Sequence, residues 1–132
     1  MACLTALCDT NILINFFIDD ERTVVEMDKI GRSNLALPAV VVMELYRGMG
    51  NKTELDRMRK RLNFFDVVHL NEAISAQTVF LLEQFRLSHN LQIPDVLIGA
   101  MALISGIPLF TCNTKDFKFM PGIQLYSILS AS

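Results

Sequence analysis

The chain has 132 residues, enough for one domain over residues 1–132 with a sizeable core. Hydrophobic residues make up 52% and the mean hydropathy is +0.36, rich for a water-soluble chain and a sign of apolar surface reserved for a partner. A net charge of −2 argues against holding nucleic acid by bulk charge alone, yet leaves room for an acidic site with a basic rim.

Residues 4–8 read as a short buried strand, followed by the cap-forming cluster Asp9-Thr10-Asn11 and a helical turn or two over residues 11–17. Asp19-Asp20-Glu21 breaks the pattern and starts a helix that runs to Ile30 and stops at Gly31. Residues 35–37 form a second strand. Pro38 then suits the first turn of a helix to about Met49, because its missing N–H is not needed there. Residues 52–65 are helical, with Leu55, Met58, Leu62 and Phe65 on one face. Five basic residues fall in residues 52–61, either a basic rim or simply a solvated face. Residues 67–70 are a third strand, and a long helix runs from Asn71 to about His89 with Ile74, Leu81, Leu82 and Phe85 on its stripe. Pro94 and Asp95 open a further helix that Gly106 ends. Residues 108–111 give a fourth strand and residues 123–126 a possible fifth, after the Pro121-Gly122 turn. Strands alternating with helices predict an α/β fold whose sheet is mainly parallel, with four to five strands.

The central apolar stretch at residues 96–104 is far short of the roughly 18 residues of a spanning helix, so no membrane association is expected. No basic segment precedes the first apolar residues, so a signal peptide is not expected either, and the protein reads as cytoplasmic. Cys3, Cys8 and Cys112 lack metal-ligand spacing and read as reduced core thiols, and His69 and His89 as ordinary surface or satisfied residues.

Four carboxylates interrupt or close apolar runs: Asp9, Glu44, Asp95 and Asp116. Unpaired buried carboxylates are costly and call for partners or a metal. Each has a plainer explanation. Asp9 and Asp116 could cap turns or helices, Asp95 suits a helix's first turn, and Glu44 could pair with Arg47. Together they are harder to dismiss. Asp9 and Asp116 follow strands, where α/β sheets present ligand sites, and Glu44 projects from the middle of a helix among apolar neighbours. Clustered carboxylates repel each other unless a cation sits between them. Mg²⁺, or Mn²⁺, prefers such oxygen ligands and can activate a water for attack on a phosphodiester. No Ser, His or Cys constellation offers a rival nucleophile.

The blocks Asp9-Thr-Asn-Ile-Leu-Ile14, Val41-Val-Met-Glu-Leu-Tyr-Arg-Gly48, Pro94-Asp-Val-Leu-Ile-Gly-Ala100 and Thr111-Cys-Asn-Thr-Lys-Asp-Phe117 resemble the four acidic blocks of PIN-domain ribonucleases, most closely the VapC-type toxins of toxin–antitoxin pairs. The resemblance covers almost the whole chain, in order. It implies a three-layer α/β/α fold and makes Asp9, Glu44, Asp95 and Asp116 catalytic Mg²⁺-binding acids, with Asp116 the least strictly required. It makes Asn11, Asn113 and Thr114 supporting polar residues of the site. It further implies an RNA substrate, a homodimer, and a cognate antitoxin lying across an apolar groove. Gly99 departs from the pattern, where alanine is common, at a helix cost of up to roughly 1 kcal/mol. Arg47, Lys115 and Lys118 flank the acidic blocks, either as contacts for substrate phosphates or, the more common case, simply as surface cations.

Three other classes fit the sequence less well. A phosphoaspartyl phosphatase using Asp9 lacks the second acid of a D-x-D start, since Asn11 stands there. A phospho-receiver domain needs an acid pair after the first strand and an Asp ending the third, and neither is present. An inactive PIN-like binding domain would keep the fold without cleavage.

Overall fold

The computed structural model describes residues 4–126, so Cys3 lies outside the described residues. The strands are β1 (Ala6–Cys8), β2 (Leu35–Pro38), β3 (Asp66–Val68) and β4 (Leu109–Phe110). The helices are α1 (Thr10–Phe17), α2 (Glu21–Ile30), α3 (Ala39–Arg47), α4 (Lys52–Leu62), α5 (Glu72–Phe85) and α6 (Ile93–Ser105). All the strand pairings are parallel, in the order β3-β2-β1-β4. β1 and β2 are buried along their whole length, as strands covered by helices on both faces must be.

The expected fifth strand is reduced to one parallel bridge, Leu109 to Leu125. The Leu109 amide donates to Gln124 O and the Tyr126 amide to Leu109 O, both at 2.8 Å.

Pairs of helices join successive strands. From β1 to β2 to β3 the chain travels one way across the sheet, and the α5–α6 connection then carries it back past β1 to β4. Right-handed crossovers of opposite travel fall on opposite faces of the sheet, which yields the three-layer α/β/α arrangement. The reversal also creates a switch point between β1 and β4, where parallel sheets open a crevice at their carboxyl ends.

Local signals set most boundaries. Asp20 caps α2 by accepting from the Thr23 amide, and Asn51 and Asn71 cap α4 and α5 in the same way. Gly106 takes the left-handed conformation that ends α6.

Two helices stop earlier than expected. α4 ends at Leu62, and a tight turn still delivers Phe65 to the core. α5 ends at Phe85, because Leu87 is 99% exposed and gives a continued helix no buried face. The chain instead turns through Ser88 and His89, both of whose amides donate to Phe85 O.

Gly99 is buried in α6, and its missing side chain has a packing reason. A Cβ there would overlap the Met120 sulfur and come within 2.7 Å of Met120 Cε and 3.5 Å of Phe117 Cδ1. Met120 and Phe117 are themselves buried, so the glycine lets the segment after β4 pack closely on α6.

Candidate active site

Asp9 is the first residue after β1 and is only 5% exposed. It serves both as a helix cap and as a crevice acid. Its Oδ1 accepts from the Thr10 amide at 2.7 Å, while Oδ2 accepts from Thr111 Oγ1 at 2.8 Å and Asn11 Nδ2 at 3.4 Å. Burial pushes its carboxyl above the ordinary value, the Thr111 and Thr10 hydrogen bonds pull it back, and Glu44 adds repulsion.

Glu44 lies half-buried in α3. Among the described residues no ion pair joins it to Arg47. Thr10 Oγ1 donates to Glu44 Oε1 at 2.8 Å instead, tying the start of α1 to the middle of α3.

Asp95 sits in the first turn of α6. Its carboxyl is also held above the ordinary value, first by desolvation and then by repulsion from Asp9, Glu44 and Asp116. Asp95 therefore lies within electrostatic reach of all three of the other acids. Asp116 ends the short 3-10 turn Thr114–Asp116 and is exposed, the most open of the four. Asp95 and Asp116 line one wall of a cavity of about 340 Å³ together with Lys115.

The fold therefore brings the four acids to one edge of the sheet, within electrostatic reach of one another. Among the described residues, however, no three His, Cys, Asp or Glu side chains are gathered tightly enough to cage an ion directly. No buried side-chain nitrogen or oxygen among them lacks a hydrogen-bond partner either. Glu26, about as buried as Asp9, lies outside this group and is held by Tyr126 Oη at 3.0 Å and Lys29 Nζ at 3.9 Å.

Of the supporting residues, Asn11 makes the best-defined contribution. Its Oδ1 accepts from the Cys112 amide at 3.1 Å, which fastens the loop after β4 to α1. Asn113 joins through its main chain, its amide donating to Thr111 Oγ1 at 3.1 Å. Thr114 is exposed, and its carbonyl closes the turn by accepting from the amides of Phe117 and Lys118.

Thr111 and Thr10 were not singled out by sequence reasoning, yet they hold Asp9 and Glu44 in place. A threonine next to a strand end has an ordinary reading as a strand former, and only the pairing of β1 with β4 sets Thr111 against Asp9. The cysteines also depart from expectation. Cys8 is buried, its thiol pushed up to about 12 by desolvation, but Cys112 is exposed and is not a core thiol. His69 and His89 are both at the surface, as expected. Among the described residues no helix is long and apolar enough to cross a membrane.

A comparison with curated proteins gave no match. Among solved structures, the chain is similar to a toxin–antitoxin complex from Klebsiella pneumoniae, at 30% identity over 94% of this chain and 100% of that one, with a TM-score of 0.75. It shares its fold with DNA-bound VapBC from Salmonella typhimurium, at 19% identity over 93% and 97% of the two chains and a TM-score of 0.80. It likewise shares it with FitAcB from Neisseria gonorrhoeae, at 21% identity over 93% and 97% and a TM-score of 0.77. The PIN domain family model matches residues 6–122. With that match spanning all four acidic blocks, the chain belongs to the PIN-domain family.

Proposed function

We propose that this chain is a divalent-metal-dependent endoribonuclease, the toxin of a VapBC-type toxin–antitoxin pair, acting in the cytoplasm. The observation that carries this reading is Asp95. Its carboxyl is raised first by desolvation and then by repulsion from Asp9, Glu44 and Asp116, and a cation relieves that repulsion. The donor set is all oxygen, which fits Mg²⁺ or Mn²⁺. Such an ion keeps several of its waters, so it does not require the acids to form a tight cage around it.

Asp9, Glu44, Asp95 and Asp116 would hold the ion. When bound, it supplies a more acidic water and neutralises charge developing on the phosphate. The chain's own residues prepare the site for this. Hydrogen bonds from Thr111 and the Thr10 amide favour the ionised form of Asp9 and orient it, and Thr10 Oγ1 fixes one oxygen of Glu44. Asp95 makes no side-chain hydrogen bond among the described residues, so its oxygens stay available. Lys115, which lines the same cavity as Asp116, would meet a substrate phosphate. The solved complexes similar in sequence or fold support an antitoxin as a partner of this chain.

The test is cleavage of single-stranded RNA in Mg²⁺, with EDTA as control, by the wild type and by Asp9→Asn and Asp95→Asn. Metal-dependent cutting lost in both folded variants is the expected result. Undiminished cutting by either variant would sink the assignment. A chain that binds RNA but never cuts it under these conditions would favour the inactive binding domain.

A further inference from the structure

The cavity beside Asp95 and Asp116 has a second wall that the acids do not explain. His89 stacks on Phe119 with ring centroids 4.1 Å apart and planes 21° from parallel. Phe85 meets the Phe119 edge at 5.0 Å and 67° and the His89 edge at 5.9 Å and 81°. Ser88 Oγ lies 2.8 Å from His89 Nδ1 and holds the ring in this orientation. Phe85 and Phe119 are half-buried but His89 is exposed, so the imidazole rests on Phe119 while its side chain stays accessible to a ligand. Asn90, Gln92 and Lys115 also line the cavity. The volume of about 340 Å³ is at the small end for ligand sites, suited to one nucleoside-sized group.

An accessible aromatic ring, amides that can read base edges, and a cation near a hydrolytic centre are the elements with which proteins hold single-stranded nucleic acid. We infer that the His89–Phe119 stack is a base-binding platform that seats one unpaired nucleobase of an RNA strand next to the bond to be cut. The assignment of the substrate as single-stranded RNA rests on the nuclease reading above, and the platform adds where its flanking base sits. It makes His89 a positioning residue and gives a reason for the early end of α5. The turn that follows Phe85 lifts the imidazole over Phe119 at the mouth of the cavity.

The test uses fluorescently labelled oligoribonucleotides cut by the wild type, in which each nucleotide near the cut is replaced in turn by an abasic ribose. At one position the missing base should raise the wild-type KM roughly 5- to 150-fold, the loss expected for one base–aromatic stack, with kcat nearly unchanged. His89→Ala should show the same rise on intact RNA and be indifferent to the abasic position. His89→Phe, which keeps a ring, should restore both the affinity and the abasic penalty. Anisotropy titrations of the intact and abasic strands in EDTA read the same preference without any cleavage. A chain that prefers the intact strand there but never cuts it would refute the nuclease reading and leave the platform standing. Equal affinity of wild type and His89→Ala for the intact strand, or an abasic penalty that persists in His89→Ala, overturns the platform. So does a wild type that takes up no RNA at all.

Discussion

Replacing Thr111 with valine removes one hydroxyl while keeping nearly the same shape. That hydroxyl donates to Asp9 at 2.8 Å and accepts from the Asn113 amide at 3.1 Å, at a position only 6% exposed. A hydrogen bond to a charged group contributes about 1.5–3 kcal/mol, so Thr111→Val should cost about 2 kcal/mol. For 132 residues, with an unfolding entropy of about 2.1 cal/mol/K per residue, that lowers Tm by about 7 °C.

The effect depends on pH in a definite direction. The hydroxyl favours the ionised form of Asp9, so its contribution is complete where Asp9 is ionised and fades as pH falls through the Asp9 pKa. That pKa lies above 3.8 because burial raises it. Without the hydroxyl it rises further, so the acid limb of the pH–cleavage profile should move to higher pH. Thr111→Ser keeps the donor and should recover most of both effects. Thermal unfolding at neutral and acidic pH, with the pH–rate profile, measures this. A Tm unchanged from wild type together with an unmoved acid limb would refute the reasoning.

Asp95→Asn should abolish cleavage yet raise the Tm of the metal-free protein at neutral pH. The Asp95 pKa is raised, so its ionised form destabilises the fold above that pKa, and the gain should vanish as pH falls below the ordinary carboxylate value. A scan in EDTA showing a lower Tm for this variant would contradict the like-charge account. Mg²⁺ at about 100 times its Kd should stabilise the wild type by about 2.7 kcal/mol, and Asp95→Asn should blunt that shift. No thermal response of the wild type to the metal would argue against the proposed ion. Gly99→Ala should gain up to about 1 kcal/mol in helix propensity but lose more by displacing buried Met120, for a net cost of about 1 kcal/mol. A higher Tm would mean that Met120 swings clear at little cost.

The sequence by itself determined the alternation of strands and helices, because periodicity and caps are local. Asp20, Asn51 and Asn71 stand where a helix start needs an acceptor, and Gly106 stands where one must end. It also singled out the four acids, since carboxylates inside apolar runs are energetically conspicuous whatever the fold. It overran α4 because apolar spacing continues from Leu62 to Phe65, and it overran α5 past Phe85, the last residue of its stripe, to a Leu87 that is 99% exposed. Only the tertiary structure decided the rest. The strand order places β4 beside β1, and this alone sets Thr111 on Asp9 and the Cys112 amide on Asn11, contacts about a hundred residues apart in the chain. The packing of α1 on α3 likewise gives Glu44 a hydroxyl from Thr10 where the sequence suggested Arg47. The stacking of His89 on Phe119 depends on a turn that no local signal marks. Hydrogen bonds and ring contacts between distant segments depend on how the elements pack, and spacing along the chain carries no record of it.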